Sequence, residues 1–312
     1  MTTDEITSSP DILRKAVRFD SGDTTCAAWH HTGTNGACVV MAGGMGVPKE
    51  PATDRFARRF HAAGYSVLAF DYRRIGESGG EPRQVVRIGD QLDDWRAAIA
   101  YAATLPEVDP ERIAIWAFSL SGGMVLQVAA GEPRVAAVVA QTPNADGPAA
   151  TRNALGFQRK GALLRVMARG IADAVGGAFG RSPRLLPLTG APGAVALLTT
   201  PDVADGDAAL DPDGAYAGWP QVVAARAALT VGRYRPGRFA PDIRCPLLVV
   251  VADDDQTALA APGIEVAERA PAGELVRTAG NHYAPFLAAH EQVVTAELAF
   301  LDRHLSRATP VA

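Results

Sequence analysis

The chain has 312 residues, 48% hydrophobic and 21% charged, with 30 basic and 34 acidic side chains and a net charge of −4. This balance excludes an intrinsically disordered chain, which would be poorer in apolar residues, and it lacks the basic field of a nucleic-acid binder. Three scattered cysteines without a CxxC pair indicate neither a disulfide framework nor a metal site, and the absence of a cationic-then-apolar leader or a long apolar run leads us to expect a soluble, cytoplasmic protein with no membrane segment.

The first residues read as an antiparallel hairpin, Ala16–Phe19 and Cys26–His30, around Ser21-Gly22-Asp23. Short apolar runs follow at Ala37–Met41, Ser66–Phe70, Ile113–Ala117 and Val135–Ala140, each fit for a strand buried on both faces. Between them, Asp54–Ala63, Ile88–Thr104 and Gly122–Ala130 have helical apolar spacing. Such alternation predicts βαβ units around a mostly parallel sheet. From about Pro148 to Ala240 the alternation stops: Gly and Pro become frequent, the predicted helices are short, and no strong strand signal is present. Pro246–Ala252 restores it, followed by a helix near Ala260–Ala270, a strand near Leu275–Thr278 and a closing helix from His290 to His304. We therefore expect a core formed by residues 1–147 and 241–312, with residues 148–240 inserted as a cap between the sixth and seventh core strands.

The sharpest local feature is a buried strand that runs into Ser119-Leu120-Ser121-Gly122-Gly123 and on into a helix. A serine on so tight a strand-to-helix turn needs small residues two positions to either side; Ala117 and Ser121 stand there. A helix N-cap is the competing role for a serine in this position, and Ser121 suits it better than Ser119. A nucleophilic serine also needs a base and a group to orient the base. Suitable residues follow at strand ends in the order acid, then histidine: Asp253-Asp254-Asp255, and His282 after Gly280-Asn281. Asp255 lies 136 residues after Ser119, and His282 a further 27 on, spacings that leave room for the intervening elements. The other histidines, His30, His31, His61, His290 and His304, fall on ordinary strand or helix positions.

The stretches VVMAGGMG (39–46), FDYRRIGESGG (70–80), IWAFSLSGG (115–123), CPLLVVVADDD (245–255) and GNH (280–282) together resemble the serine hydrolases of the α/β-hydrolase fold, nearest the dienelactone-hydrolase-like and peptidase-like esterases. The resemblance spans nearly the whole chain. It implies an eight-stranded, mostly parallel sheet with helices on both faces and an inserted helical cap. It also implies Ser119 as nucleophile, His282 as base and Asp255 as orienting acid, Asp255 being the aspartate three residues after the small residue that closes the seventh strand. Asp146, after the sixth strand, is the reserve acid. Backbone N–H groups of Leu120 and Met45 would form the oxyanion hole, Gly43-Gly44 standing where relatives often carry His-Gly. The segment 71–78 would buttress the site. No metal or organic cofactor is implied.

The expected reaction is cleavage of a carboxylic ester, with a thioester as an option, through an acyl-enzyme. Fold does not fix chemistry, so elimination, acyl transfer or cyclisation on the same scaffold, or a non-catalytic pseudo-hydrolase, stay open. The expected partner is a small ester or acyl substrate, free or carrier-bound, with neither nucleic acid nor membrane, and a homodimer is among the expectations because caps and closing helices of this fold often mediate one. Between Arg152 and Arg184 the insertion carries seven basic residues against one acid, Asp173, after which Asp202, Asp205, Asp207, Asp211 and Asp213 reverse the sign. These read either as two solvated faces or as a docking surface for an anionic carrier.

Overall fold

A computed structural model describes residues 14–216 and 218–306. Most of the polar N-terminal stretch, residues 1–13, thus lies outside the described residues. Twenty elements follow one another. The first half contains β1 (Arg14–Ser21), β2 (Thr24–His31), β3 (Cys38–Ala42), α1 (Lys49–Ala52), α2 (Asp54–Ala62), β4 (Ser66–Phe70), α3 (Ile88–Ala102), β5 (Ile113–Phe118), α4 (Ser119–Gly131) and β6 (Val135–Gln141). Then come α5 (Gly147–Leu155), α6 (Lys160–Ala178), β7 (Leu185–Pro187), α7 (Gly206–Leu210), β8 (Val222–Ala224), α8 (Ala227–Val231), β9 (Leu247–Ala252), α9 (Ala260–Arg269), β10 (Gly273–Thr278) and α10 (His290–Leu305).

Eight strands form one sheet in the order β1-β2-β4-β3-β5-β6-β9-β10. The β1/β2 and β2/β4 pairings are antiparallel and all the others parallel. Strands β3, β4, β5 and β9 are buried along their whole length, as continuous apolar runs covered on both faces should be. The edge strands β1 and β10 show mixed burial, because one side of each has no strand to cover it. Helices α2 and α10 pack together on one face; α3, α4 and α9 cover the other. Phe56 of α2 meets Trp116 of β5 at 4.9 Å and, edge-on, Phe286 at 5.3 Å, so an aromatic cluster fills the layer beneath the strand ends.

The hairpin and the core strands occur where expected, with ends displaced by at most two residues. The insertion differs more. Its main helix, α6, runs for 19 residues through four glycines, and β7 pairs with β8 in an antiparallel ribbon. Glycine density had suggested a break, but Gly170 instead lets α6 approach another backbone: a Cβ there would lie 3.0 Å from the carbonyl oxygen of Ala225. The turn at Pro236–Asp242 packs on α4 and α9. Among the described residues no helix is long and apolar enough to cross a membrane.

Asp173 holds the insertion together. Its side chain is buried at 1% exposure and accepts from the backbone N–H of Arg184 and Arg226 and from both Nε and Nη2 of Arg226 at 2.7–3.0 Å. It is thus a structural anchor, and no part of a solvated acidic face. Burial opposes its charge, but Arg226 and the two N–H donors outweigh that and hold its carboxyl below the usual range. Its stabilising contribution is complete above 3.8, the ordinary value, and is lost as the pH falls towards the lower folded value. Asp173→Ala leaves a partly buried guanidinium without its partner and is expected to cost about 3–5 kcal/mol in denaturant unfolding. A loss below ~1 kcal/mol would show that the clamp does not hold the insertion.

Candidate active site

The strand–helix junction at β5 and α4 shapes the site. Ser119 has φ 60°, in the left-handed region that non-glycine residues rarely occupy. The turn is held from several sides. Ser119's carbonyl accepts from Asn144 N–H at 2.9 Å, and α4 lies so close to the β6 exit that a Cβ on Gly123 would sit 2.4 Å from the Asn144 oxygen. Helix α4 begins at Ser119, three residues earlier than its periodicity suggests, so Leu120 N–H stands at the helix start. Ser121 caps nothing. Its hydroxyl accepts from Tyr72 at 2.8 Å, and Tyr72 in turn accepts from the Trp95 indole N–H at 2.8 Å, which fixes the underside of the turn to β4 and α3.

Three predicted residues converge. His282, in the loop after β10, is 1% exposed; its Nε2 lies 3.0 Å from Ser119 Oγ and its Nδ1 lies 2.7 Å from Asp255 Oδ2. With the proton on Nδ1, the imidazole donates to Asp255 and leaves Nε2 to accept from the serine hydroxyl. The other oxygen of Asp255 accepts from Thr257 N–H at 2.8 Å and Ala258 N–H at 2.6 Å. Burial disfavours the charged imidazole, yet the Asp255 charge and hydrogen bond, with a smaller contribution from Asp202, prevail and raise the His282 pKa above its ordinary 6.5.

The neighbouring aspartates lie elsewhere. Asp253 is exposed and pairs with Arg277 at 2.9 Å, while Asp254 is exposed. Asp146, the reserve acid, caps α5 by accepting from Ala149 N–H at 2.8 Å and pairs with Arg235 at 3.2 Å, so the structure does not bring it to His282.

Asp202 is a residue that the sequence did not reveal. It comes from the insertion and is 4% exposed. Its carboxylate accepts from Gln256 N–H, Thr257 N–H and the Thr257 hydroxyl, at 2.9, 3.2 and 2.9 Å. The loop that carries Asp255 is therefore fixed from the insertion side. Lys49 was not assigned a role from the sequence. It is 2% exposed, donates from Nζ to Asp71 at 3.0 Å and from its backbone N–H to the same carboxylate at 2.6 Å, and also pairs with Glu77. Asp71 thus anchors the chain just after the Gly43–Val47 loop that contains Met45, in keeping with a buttressing role for segment 71–78. The scarcity of lysine was a signal that could have drawn attention to Lys49: only three occur in the chain.

Met45, Ser119 and Leu120 line one cavity of about 160 Å³, walled by apolar side chains of α5, α6 and α8 and by residues 196–200. A smaller space, about 20 Å³, lies on another side of Ser119 against Leu188, Trp219 and Tyr283. Trp219 lines this second space and donates from its indole N–H to the Gly46 carbonyl at 3.0 Å.

A family model described as serine aminopeptidase, S33, matches residues 34–280. The quorum-quenching protein AidA of Acinetobacter baumannii is 38% identical over 291 residues, 92% of this chain and 94% of its own. The thiohydrolase apmlB of Arthrinium phaeospermum is 40% identical over 108 residues, covering 35% of each chain. Among solved structures, alpha/beta hydrolase GrgF from Penicillium sp. sh18 superposes with a TM-score of 0.77 at 23% identity, over 94% of this chain and 99% of its own. With an eight-stranded, mostly parallel sheet and this family match, the chain belongs to the S33 family of α/β-hydrolases.

Proposed function

We propose that the protein is a serine hydrolase that cleaves a carboxylic ester or thioester of a small acyl substrate through an acyl-enzyme. The observation that carries this reading is the unbroken hydrogen-bonded line from Ser119 through His282 to Asp255, opening onto an apolar cavity. In this scheme Ser119 Oγ attacks the carbonyl carbon while His282 Nε2 takes the hydroxyl proton, and Asp255 holds the imidazole in the productive tautomer and stabilises its charged form. The proton then passes to the leaving alcohol or thiol. Water repeats the sequence on the acyl-enzyme. Leu120 N–H, at the start of α4, and Met45 N–H would donate to the oxyanion. The insertion would act as a cap: its apolar wall suits an acyl chain and excludes water from the serine. AidA's part in quorum quenching is compatible with a small diffusible acyl substrate, and the resemblance to a thiohydrolase keeps the thioester option.

Ser119→Ala is expected to abolish labelling by a fluorophosphonate probe and ester turnover; undiminished labelling would remove Ser119 from the chemistry. Asp255→Asn, with the imidazole in the wrong tautomer, should lower kcat by about 10⁴. The base must be neutral, so kcat/KM should rise with pH through a value above 6.5. Because a nearby negative charge favours the imidazolium, Asp202→Asn should displace that limb towards lower pH. An unmoved limb would show that Asp202 does not act electrostatically on His282. Across p-nitrophenyl esters, each added methylene should improve kcat/KM by about fourfold until the cavity is full, corresponding to ~0.8 kcal/mol per buried CH₂. A flat series would show that the cavity does not take the acyl chain.

A further inference from the structure

Helix α6 buries one side, through Ala162, Val166, Gly170 and Asp173. Its opposite side faces solvent and is apolar. Leu164 is 70% exposed, and Met167, Ile171, Val175 and the C-terminal Phe179 are exposed too; these are five of the nine exposed large hydrophobic side chains among the described residues. Their concentration on one helix marks a contact surface, since exposed apolar residues are ordinarily scattered.

The spacing of that surface says what covers it. Leu164, Ala168, Ile171, Val175 and Ala178, all exposed, recur at intervals of four, three, four and three residues, the repeat of a helix–helix seam. Three large residues and two alanines share it, with Leu164 at one end and Ala178 at the other. If a second α6 lies antiparallel with Ile171 on the two-fold axis, Leu164 opposes Ala178 and Ala168 opposes Val175 of the second copy, so each large side chain meets a small one. A parallel pairing would set Leu164 against Leu164 and Arg165 beside Arg165.

Charge points the same way. Arg165 and Arg169 are exposed beside the seam, and α6 carries no acid but the internally paired Asp173. Elsewhere, exposed Arg58, Arg96, Arg269 and Arg277 each have a carboxylate partner. In the antiparallel pair these two cations lie along the Val175–Ala178 half of the other helix, which carries no cation and has the negative end of the helix dipole. At ~100 Å² for each large side chain, two copies cover on the order of 1,000 Å², the size at which a specific interface begins.

We propose that α6 pairs antiparallel with α6 of a second copy of this chain, through the seam Leu164–Ala168–Ile171–Val175–Ala178, to form a two-fold dimer. Leu163 and Val166 of α6, with Met167 at the edge of the exposed side, line the main cavity, so the dimer braces that wall. Sedimentation equilibrium of the full chain tests the proposal. The wild type should be dimeric at micromolar concentration, and Ile171→Glu, which places two like charges on the axis, should weaken association by more than about 100-fold while leaving far-UV circular dichroism unchanged. Leu164→Ala should weaken it by about tenfold, and Ala178→Leu in the same chain should restore it to within about threefold, because large and small residues then exchange places. A monomeric wild type, a dimer indifferent to Ile171→Glu, or a swap without rescue would each overturn the proposal. So would a monomeric wild type that binds phosphatidylglycerol vesicles through this face, which would assign the seam to lipid.

Discussion

The site rests on one unfavourable backbone conformation. Holding Ser119 at φ 60° costs of order 1–3 kcal/mol, and the chain adopts it only because its surroundings leave no alternative. Strand β5 enters the turn fully buried between β3 and β6, so its direction cannot yield. Helix α4 leaves it against the β6 exit, at a distance only Gly122 and Gly123 permit. The Tyr72–Ser121 bond closes the turn from below. The side chain is consequently lifted out of the strand end towards His282 and is not free to form the local hydrogen bonds that a serine at a helix start otherwise makes.

What the sequence made legible follows from the range of each interaction. Fully buried strands announce themselves as apolar runs, and β4 was read to the residue at Ser66–Phe70. The order serine, acid, histidine at strand ends was likewise readable, because the sheet brings the ends of parallel strands to one edge regardless of sequence distance. Polar partnerships between distant segments were not readable. Asp202 and Thr257 are 55 positions apart, and nothing local distinguishes a buried loop anchor from a solvated aspartate. The same holds for Ser121, whose partner lies 49 positions away. In α6 the failure was of another kind: glycine was weighed as a helix breaker, whereas at Gly170 it provides the close approach on which the packing depends.

The basic stretch of the insertion also looks different in three dimensions. As a string of charges it suggested either a solvated face or a carrier site. On the helix, Arg165 and Arg169 flank an apolar ridge, and the one acid in the stretch is turned inward to Arg226. The ridge, more than the charge, is what a partner would have to cover, because unpaired surface cations cost little in water whereas exposed leucine and phenylalanine do not.

Asp202 joins the insertion to the loop that carries Asp255 more tightly than a lid need be joined. A cover that touched the core only through apolar contacts could shift without disturbing the acid. Here a buried carboxylate from the insertion accepts the N–H groups of Gln256 and Thr257, and Thr257 N–H is shared with Asp255, whose remaining oxygen holds His282. Opening the insertion as a rigid unit would strip the Gln256 N–H and the Thr257 hydroxyl of this acceptor and leave a carboxylate to be resolvated, while loosening the turn that aims Asp255. Each buried donor left unsatisfied costs about 1–3 kcal/mol, so displacing residues 201–205 is expensive. Access to Ser119 is thus to be sought on the side of the cavity away from Asp202, and the Asp202 side remains the fixed support of Asp255 and His282.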